Sequence, residues 1–254
     1  MQPTLNISNL TIGYHRQPLI ETINLSATKG SLVSIIGRNG EGKTTLLKTI
    51  ASLLAPINGT ISVDGKSIEH ISEKEKSKLI SLVLTHKIGI HHITVFDYIA
   101  YGRYPYTNWL GIQSNRDHGY ITDAIELCGV AHLANQYFTE LSDGEKQKVN
   151  IARAIAQNTP VIILDEPTAH LDLVNKIEVF KLLKKLADEH QKTIVISTHQ
   201  IDLALQLSNS IWLMVDQQII QDEPSAIIKS GSIHKLFNSK DIVFNPTTNS
   251  FTLP

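Results

Sequence analysis

The chain has 254 residues, 42% of them hydrophobic and 19% charged, proportions that fit a globular protein with a sizeable core and exclude a disordered tail. With 23 Lys+Arg against 24 Asp+Glu the formal net charge is −1, which argues against a dedicated DNA- or RNA-binding domain, because those carry a basic excess. The single cysteine, Cys128, excludes an internal disulfide and a cysteine-based zinc cluster and fits a cytosolic compartment.

No basic segment followed by an apolar one opens the sequence, so no secretion signal is expected. Residues 5–12 alternate apolar and polar side chains up to Gly13-Tyr14, and a second apolar patch follows at 19–25. Residues 32–36 are a nearly continuous apolar run ending at Gly37, the pattern of a strand buried on both faces. A helix is expected over 44–54, stopped by Pro56 and an Asn58-Gly59 turn, and then a hairpin over 60–68 turning at Asp64-Gly65. Ser72 and Glu75 form a capping box that opens a short polar helix, and 80–84 returns to strand character. From 86 to 157 the texture changes to helices, loops and aromatics, among them Tyr98, Tyr101, Tyr104, Tyr106 and Trp109. Strand-like runs at 161–164 and 193–197 flank a helical stretch at 174–190, an order that implies parallel strands with right-handed crossovers. Residues 211–215 and 219–220 read as a closing hairpin. The run at 211–215 is also the longest strictly apolar one, far short of the roughly 18–20 residues of a membrane helix. From Gly231 the sequence is polar and weakly patterned.

Gly37-Arg38-Asn39-Gly40-Glu41-Gly42-Lys43-Thr44 fits the spacing G-x-x-x-x-G-K-[ST] between a buried strand and a helix. Glycines there let successive backbone N–H groups turn inward around phosphates, and the helix start adds a positive partial charge. Lys43 would reach the β- and γ-phosphates and the Thr44 hydroxyl would ligate Mg²⁺. Asp165-Glu166 ends the apolar run at 160–164, where Asp165 is placed as a second magnesium ligand and Glu166 as the group that polarises the attacking water. Without the phosphate loop, both would read as solvated acids. His199 follows the run at 193–197. A lone histidine is more often structural, but a third strand end on the same sheet edge favours a γ-phosphate contact.

Leu141-Ser142-Asp143-Gly144-Glu145 precedes a helix, with Ser142 at the N-cap and Glu145 at N3, and a capping box alone accounts for these residues. Taken together, the ordered motifs resemble the ATP-binding cassette (ABC) ATPases over nearly the whole chain. Residues 141–145 are similar to that family's signature motif, with Asp143 for a glycine and Glu145 for a glutamine. Asp165-Glu166-Pro167-Thr168 resembles the Walker B segment and Ala169-His170-Leu171-Asp172 the D-loop. His199 matches the switch histidine, and Tyr14 the aromatic that stacks on adenine. A GTPase reading fails for want of an Asn-Lys-x-Asp motif.

The resemblance implies an α/β P-loop NTPase with a RecA-like core, an N-terminal antiparallel β-subdomain and an inserted α-helical subdomain. It implies one cassette over residues 1–230: core and β-subdomain at 1–85 and 158–230, helical subdomain at 86–157, and a tail at 231–254. It also implies ATP and Mg²⁺ held between the loop of one copy (Gly37, Arg38, Asn39, Gly40, Gly42, Lys43, Thr44, Thr45) and Ser142, Gly144 and Glu145 of another, with the D-loop Asp172 at the same junction. Residues 94–106 and Trp109-Leu110-Gly111 are similar to ATPase subunits of importers for iron chelates, haem and cobalamin. In that group the ATPase is a separate chain on membrane permeases, with a substrate-binding protein on the far side. The expected location is therefore cytoplasmic and peripheral, on the inner face of a bacterial inner membrane, with no nucleic-acid partner. A rival from another class, a soluble cassette ATPase serving as a switch, would show tandem cassettes or coiled-coil insertions, and neither is visible.

Three features stand apart from the pattern. Thr85 stands where the family has a glutamine that senses Mg²⁺, and its shorter hydroxyl is expected to keep an indirect metal contact. His86, His91 and His92 suggest a metal cluster, but their spacing does not fit one helix face and no carboxylate or cysteine accompanies them, so a solvated loop is expected. Glu145, an acid near a partner's phosphate, is expected to turn back to its own helix start.

Overall fold

The computed structural model describes residues 3–84, 92–236, 243–245 and 250–252. In chain order the elements are β1 (Leu5–Tyr14), β2 (Gln17–Ala27), β3 (Leu32–Gly37), α1 (Lys43–Ile50), β4 (Asn58–Val63), β5 (Lys66–Ser67), α2 (Glu73–Leu79) and β6 (Ile80–Val83). The helical insertion contributes α3 (Val95–Ala100), a 3₁₀ turn at Tyr101–Tyr106, α4 (Asn115–Leu127) and α5 (Asp143–Ala156). There follow β7 (Val161–Asp165), α6 (Leu173–Asp188), β8 (Thr193–Ser197), α7 (Ile201–Leu207), β9 (Ser210–Val215), β10 (Gln218–Asp222) and α8 (Pro224–Lys229). A 3₁₀ turn at Ser232–Leu236 and a short β11–β12 pair (Val243–Asn245, Ser250–Thr252) complete the described chain.

The larger sheet has the order β10-β9-β3-β8-β7-β6. Its neighbours are parallel except for β10, which closes antiparallel on β9. β3, β7 and β8 are buried at every position, which is why their sequences are continuous apolar runs. Side chains alternate between two cores: Ile162, Leu164, Ile194 and Ile196 pack toward the helical insertion and α6, whereas Val161, Ile163 and Val195 pack toward α1 and the smaller sheet. Parallel register aligns Asp165 with Ser197, and β3, between β8 and β9, ends at Gly37 on the same edge. Three strand ends therefore converge where α/β sheets hold their ligands.

The smaller sheet, β2-β1-β4-β5, is antiparallel. Here the structure corrects one expectation: Asn58-Gly59 is not a turn but the start of β4. Gly59 has φ +90°, and a Cβ there would sit 2.3 Å from the Asn9 carbonyl oxygen, opposite the register shift between Ser8 and Thr11. The dipeptide serves a bulge. Helix α1 stops at Ile50, earlier than the expected 54. The polar stretch after Gly231 also does more than its composition indicates: Ile233 and Leu236 are buried with Ile36, Leu205, Ile211, Leu213 and Ile227.

Within the insertion, Arg103 forms a buried ion pair with Asp117 (Nε to Oδ1, 2.9 Å) and its Nη1 donates to the Ala156 carbonyl (2.7 Å) at the end of α5. The guanidinium lies 3.9 Å from the Tyr106 ring centroid and 4.4 Å from that of Tyr120. Burial pushes the Asp117 carboxyl up, but hydrogen bonds from Ser114 and Arg103 outweigh it and hold the group below the usual carboxylate range. Around this anchor Tyr101, Tyr104, Trp109, Leu110 and Ile112 are exposed, Trp109 by 91%.

Candidate functional site

The glycine-rich loop leaves β3 at Gly37 and enters α1 at Lys43. Gly42, at the N-cap, has φ +102°, a left-handed backbone that favours glycine. No side chain caps α1 and no acid stands in its first turn, which leaves the helix start open to an external anion. Lys43 is buried inside the loop, its Nζ donating to the carbonyls of Gly37 (2.8 Å) and Arg38 (3.0 Å). Burial lowers its pKa, against the opposing pull of the Glu166, Asp165 and Glu41 carboxylates.

Behind the loop the strand ends form one polar chain. Thr44 Oγ1 donates to Asp165 Oδ2 (2.9 Å), and Ser197 Oγ donates to Asp165 Oδ1 (2.6 Å). The same Ser197 oxygen accepts the Glu166 backbone N–H (2.8 Å), and Glu166 Oε1 lies 2.8 Å from His199 Nε2. Glu166 has φ +48°, a left-handed backbone that a non-glycine residue adopts at some cost. The Thr44 hydroxyl and Asp165 carboxylate are hard oxygen donors of the kind Mg²⁺ takes, so the residues present fit that ion.

A cleft of ≈ 470 Å³ opens over the loop, lined by Tyr14, Asn39, Gly40, Gly42, Lys43, Thr44, Thr45 and Glu166, with Gln17, Pro18 and Leu19 at its side. Tyr14, half exposed, pairs its hydroxyl with Thr45 Oγ1 at 3.2 Å, which ties the aromatic to the loop. Arg38 belongs to the loop, but its guanidinium donates to the carbonyls of Lys235 and Leu236 in the C-terminal segment.

The remaining site candidates stand elsewhere in the chain. Ser142 caps α5, accepting the Glu145 N–H on Oγ (3.3 Å), while Glu145 Oε2 receives the Ser142 N–H (2.8 Å) and hydroxyl (2.6 Å). Glu145 thus turns back to its own helix start, as its position in the box requires. Asp172 caps α6 through the Asn175 N–H (2.8 Å), and the Asn175 side chain in turn packs against Gly144. None of Ser142, Gly144, Glu145 and Asp172 lines the cleft. Thr85, His86 and His91 lie outside the described residues. The His92 ring stands edge-on to Tyr137, and no metal-ligating cluster occurs among the described residues.

Sequence reasoning missed Ser197. It reads as one more residue of a buried strand, and only the parallel register that sets it beside Asp165 gives it a role. The short polar side chain at the end of an otherwise apolar run was the available signal.

A cassette of this kind, with a glycine-lined phosphate loop and acidic and histidine side chains converging on one sheet edge, defines a P-loop NTPase. Residues 20–169 match the family described as ABC transporter, and the chain belongs to that family as an ATP-binding, ATP-hydrolysing subunit. An uncharacterized ABC transporter ATP-binding protein of Methanocaldococcus jannaschii is 39% identical over 250 residues, 98% of this chain and 86% of the relative. The petrobactin import ATP-binding protein of Bacillus anthracis is 34% identical over 238 residues, 93% and 87% of the two chains. Among solved structures, a metal-chelate type ABC transporter in an inward-facing conformation superposes with a TM-score of 0.83 at 29% identity, covering 99% of this chain and 96% of that one. A dimeric, post-hydrolysis ATP-binding cassette bound to ADP and phosphate superposes at 0.75 and 27% identity, covering 87% and 98%. No helix among the described residues is long and apolar enough to cross a membrane.

Proposed function

We propose that the chain energises import of a metal chelate, an iron–siderophore, haem or cobalamin-like compound, through separate permease subunits fed by a substrate-binding protein. The pairing of Thr44 with Asp165 and of Glu166 with His199 beside an uncapped glycine-rich loop carries the hydrolytic part of this reading. Residues 37–45 cradle the ATP phosphates, Lys43 neutralises the terminal ones, and Tyr14 stacks on the adenine. Thr44 and Asp165 would hold Mg²⁺, with an indirect contribution from Thr85, and the ion would neutralise phosphate charge. Glu166 orients the attacking water and His199 holds Glu166 toward the γ-phosphate.

Because residues 142–145 and Asp172 stand apart from the cleft of their own chain, a second copy supplies them, in a homodimer with two composite sites. The name of the petrobactin import relative supports the import assignment, and that of the metal-chelate type transporter supports the cargo class. The exposed aromatics around Trp109 offer the surface for the permease. In this reading the subunit sits on the cytoplasmic face of a bacterial inner membrane and has no nucleic-acid partner.

Glu166→Gln tests the assignment. ATP binding should persist, turnover should fall by about 10²–10⁴-fold, and an ATP-bound dimer should accumulate in size-exclusion chromatography. Undiminished turnover would remove Glu166 from the mechanism. Uptake of a radiolabelled iron chelate by vesicles carrying the chain with its permease tests the cargo class, and ATP hydrolysis without uptake of any chelate contradicts it.

A further inference from the structure

Arg38 is a loop residue whose side chain points away from the cleft. Its Nε donates to the Leu236 carbonyl at 2.6 Å and its Nη2 to the Lys235 carbonyl. Those carbonyls end the 3₁₀ turn Ser232–Leu236, where helical geometry leaves acceptors without intrahelical donors, and the guanidinium fork caps them as a cation at a helix C-terminus. The turn is itself anchored: Ile233 and Leu236 are buried against Ile36, which directly precedes the loop, and against Leu205 of α7, the helix that follows His199. A cavity of ≈ 210 Å³ is lined jointly by Gly37, Arg38, Thr198, His199 and Leu236. The Arg38 carbonyl, meanwhile, is one of the two that hold the Lys43 ammonium. One residue thus joins the C-terminal segment, through its side chain, to the phosphate-binding lysine, through its backbone.

We propose that residues 232–236 form a clasp that sets the conformation of the phosphate-binding loop through Arg38, making Arg38 a positioning residue for ATP and the C-terminal segment a determinant of nucleotide affinity. The proposal rests on the nucleotide-binding reading of residues 37–45. It differs from a direct Arg38–nucleotide contact in one respect: the effect of Arg38 requires the turn to be in place.

The test is a double-mutant cycle in the full-length chain with Arg38→Ala, Leu236→Gly and both together, reading MgATP dissociation constants, KM and kcat. Leu236→Gly removes the apolar anchor while keeping the backbone carbonyls. Each single substitution should raise KM about fivefold, a coupling of the size that packed networks carry, with the loss falling on KM rather than kcat. Arg38→Lys, which keeps one charged donor, should recover part of the loss. The double variant should bind no more weakly than the weaker single one, and hydrogen exchange over 232–236 should rise in Arg38→Ala. An unchanged KM in Arg38→Ala, or effects of the two substitutions that multiply, overturns the clasp. If the unmodified chain binds no MgATP, the nucleotide reading itself fails; if it binds and Arg38→Ala binds equally well, only the clasp does.

Discussion

Helices α1 and α5 both have a small residue at the N-cap, Gly42 and Ser142, yet they present opposite electrostatics. The start of α1 has a left-handed glycine at its N-cap, no capping side chain and no acid in its first turn. The start of α5 carries Ser142 at the N-cap, Asp143 and Glu145 in the first turn, and a closed capping box. One helix end awaits an anion; the other already holds a carboxylate of its own. An open helix start of the first kind favours an external anion, whereas a start closed by its own carboxylate suits only the completion of a site charged elsewhere. This asymmetry agrees with a nucleotide anchored in one copy and covered by the other.

The comparison breaks most severely at the open end. Lys43→Ala removes the ammonium that the loop carbonyls hold in place, and MgATP affinity should drop by about 100-fold in a fluorescence titration, the cost of losing charge-assisted hydrogen bonds to phosphate. Retained affinity would show that the open helix start suffices alone. A smaller effect is expected from Ser197→Ala, which strips Asp165 of one donor and the Glu166 N–H of its acceptor. Steady-state kinetics should show kcat reduced by about tenfold with KM little changed, since the loss of one buried hydrogen-bonding group is worth about 1–3 kcal/mol. A change confined to KM would mean that Ser197 serves binding and not the placement of Glu166.

The smallest effect belongs to the capped end. Glu145→Ala should cost about 0.5–1 kcal/mol of stability, read as a lower Tm, while Glu145→Gln keeps an N3 side chain able to bond back. Hydrogen bonds from Ser142 hold the Glu145 carboxyl below the usual range. Its contribution is therefore fully present above about pH 4.3, the ordinary glutamate value, and is lost as pH falls through its lower folded value. Glu145→Gln should flatten that part of the Tm-against-pH curve; an unchanged acid slope would mean that the carboxylate does not charge-stabilise α5.

What the sequence disclosed follows from the range over which each feature is determined. The buried runs of β3, β7 and β8, the spacing of residues 37–44 and both capping boxes are local patterns, and each appears where periodicity or spacing places it. Asn58-Gly59 misled because that dipeptide suits any left-handed backbone, and here the demand comes from a bulge against β1 rather than from a hairpin. Ser197 and the partners of Arg38 were not legible, since one depends on strand register and the other on a contact across 198 residues of sequence. Ile233 and Leu236 escaped notice for a related reason: two apolar residues in a polar stretch carry no period, and only their packing with Ile36 of β3 and Leu205 of α7 makes them core.

The composite site is tested most directly by disulfide trapping between copies. Cys128 is buried, and burial pushes its thiol up to about 12, so introduced cysteines are the reactive ones at neutral pH. In the Glu166→Gln background, a chain carrying Asn39→Cys in the phosphate loop and Asp143→Cys at the start of α5 should form a covalent dimer under mild oxidation only when MgATP is present. Cross-linking that is equal with and without nucleotide, or absent with it, would contradict a site shared between two copies.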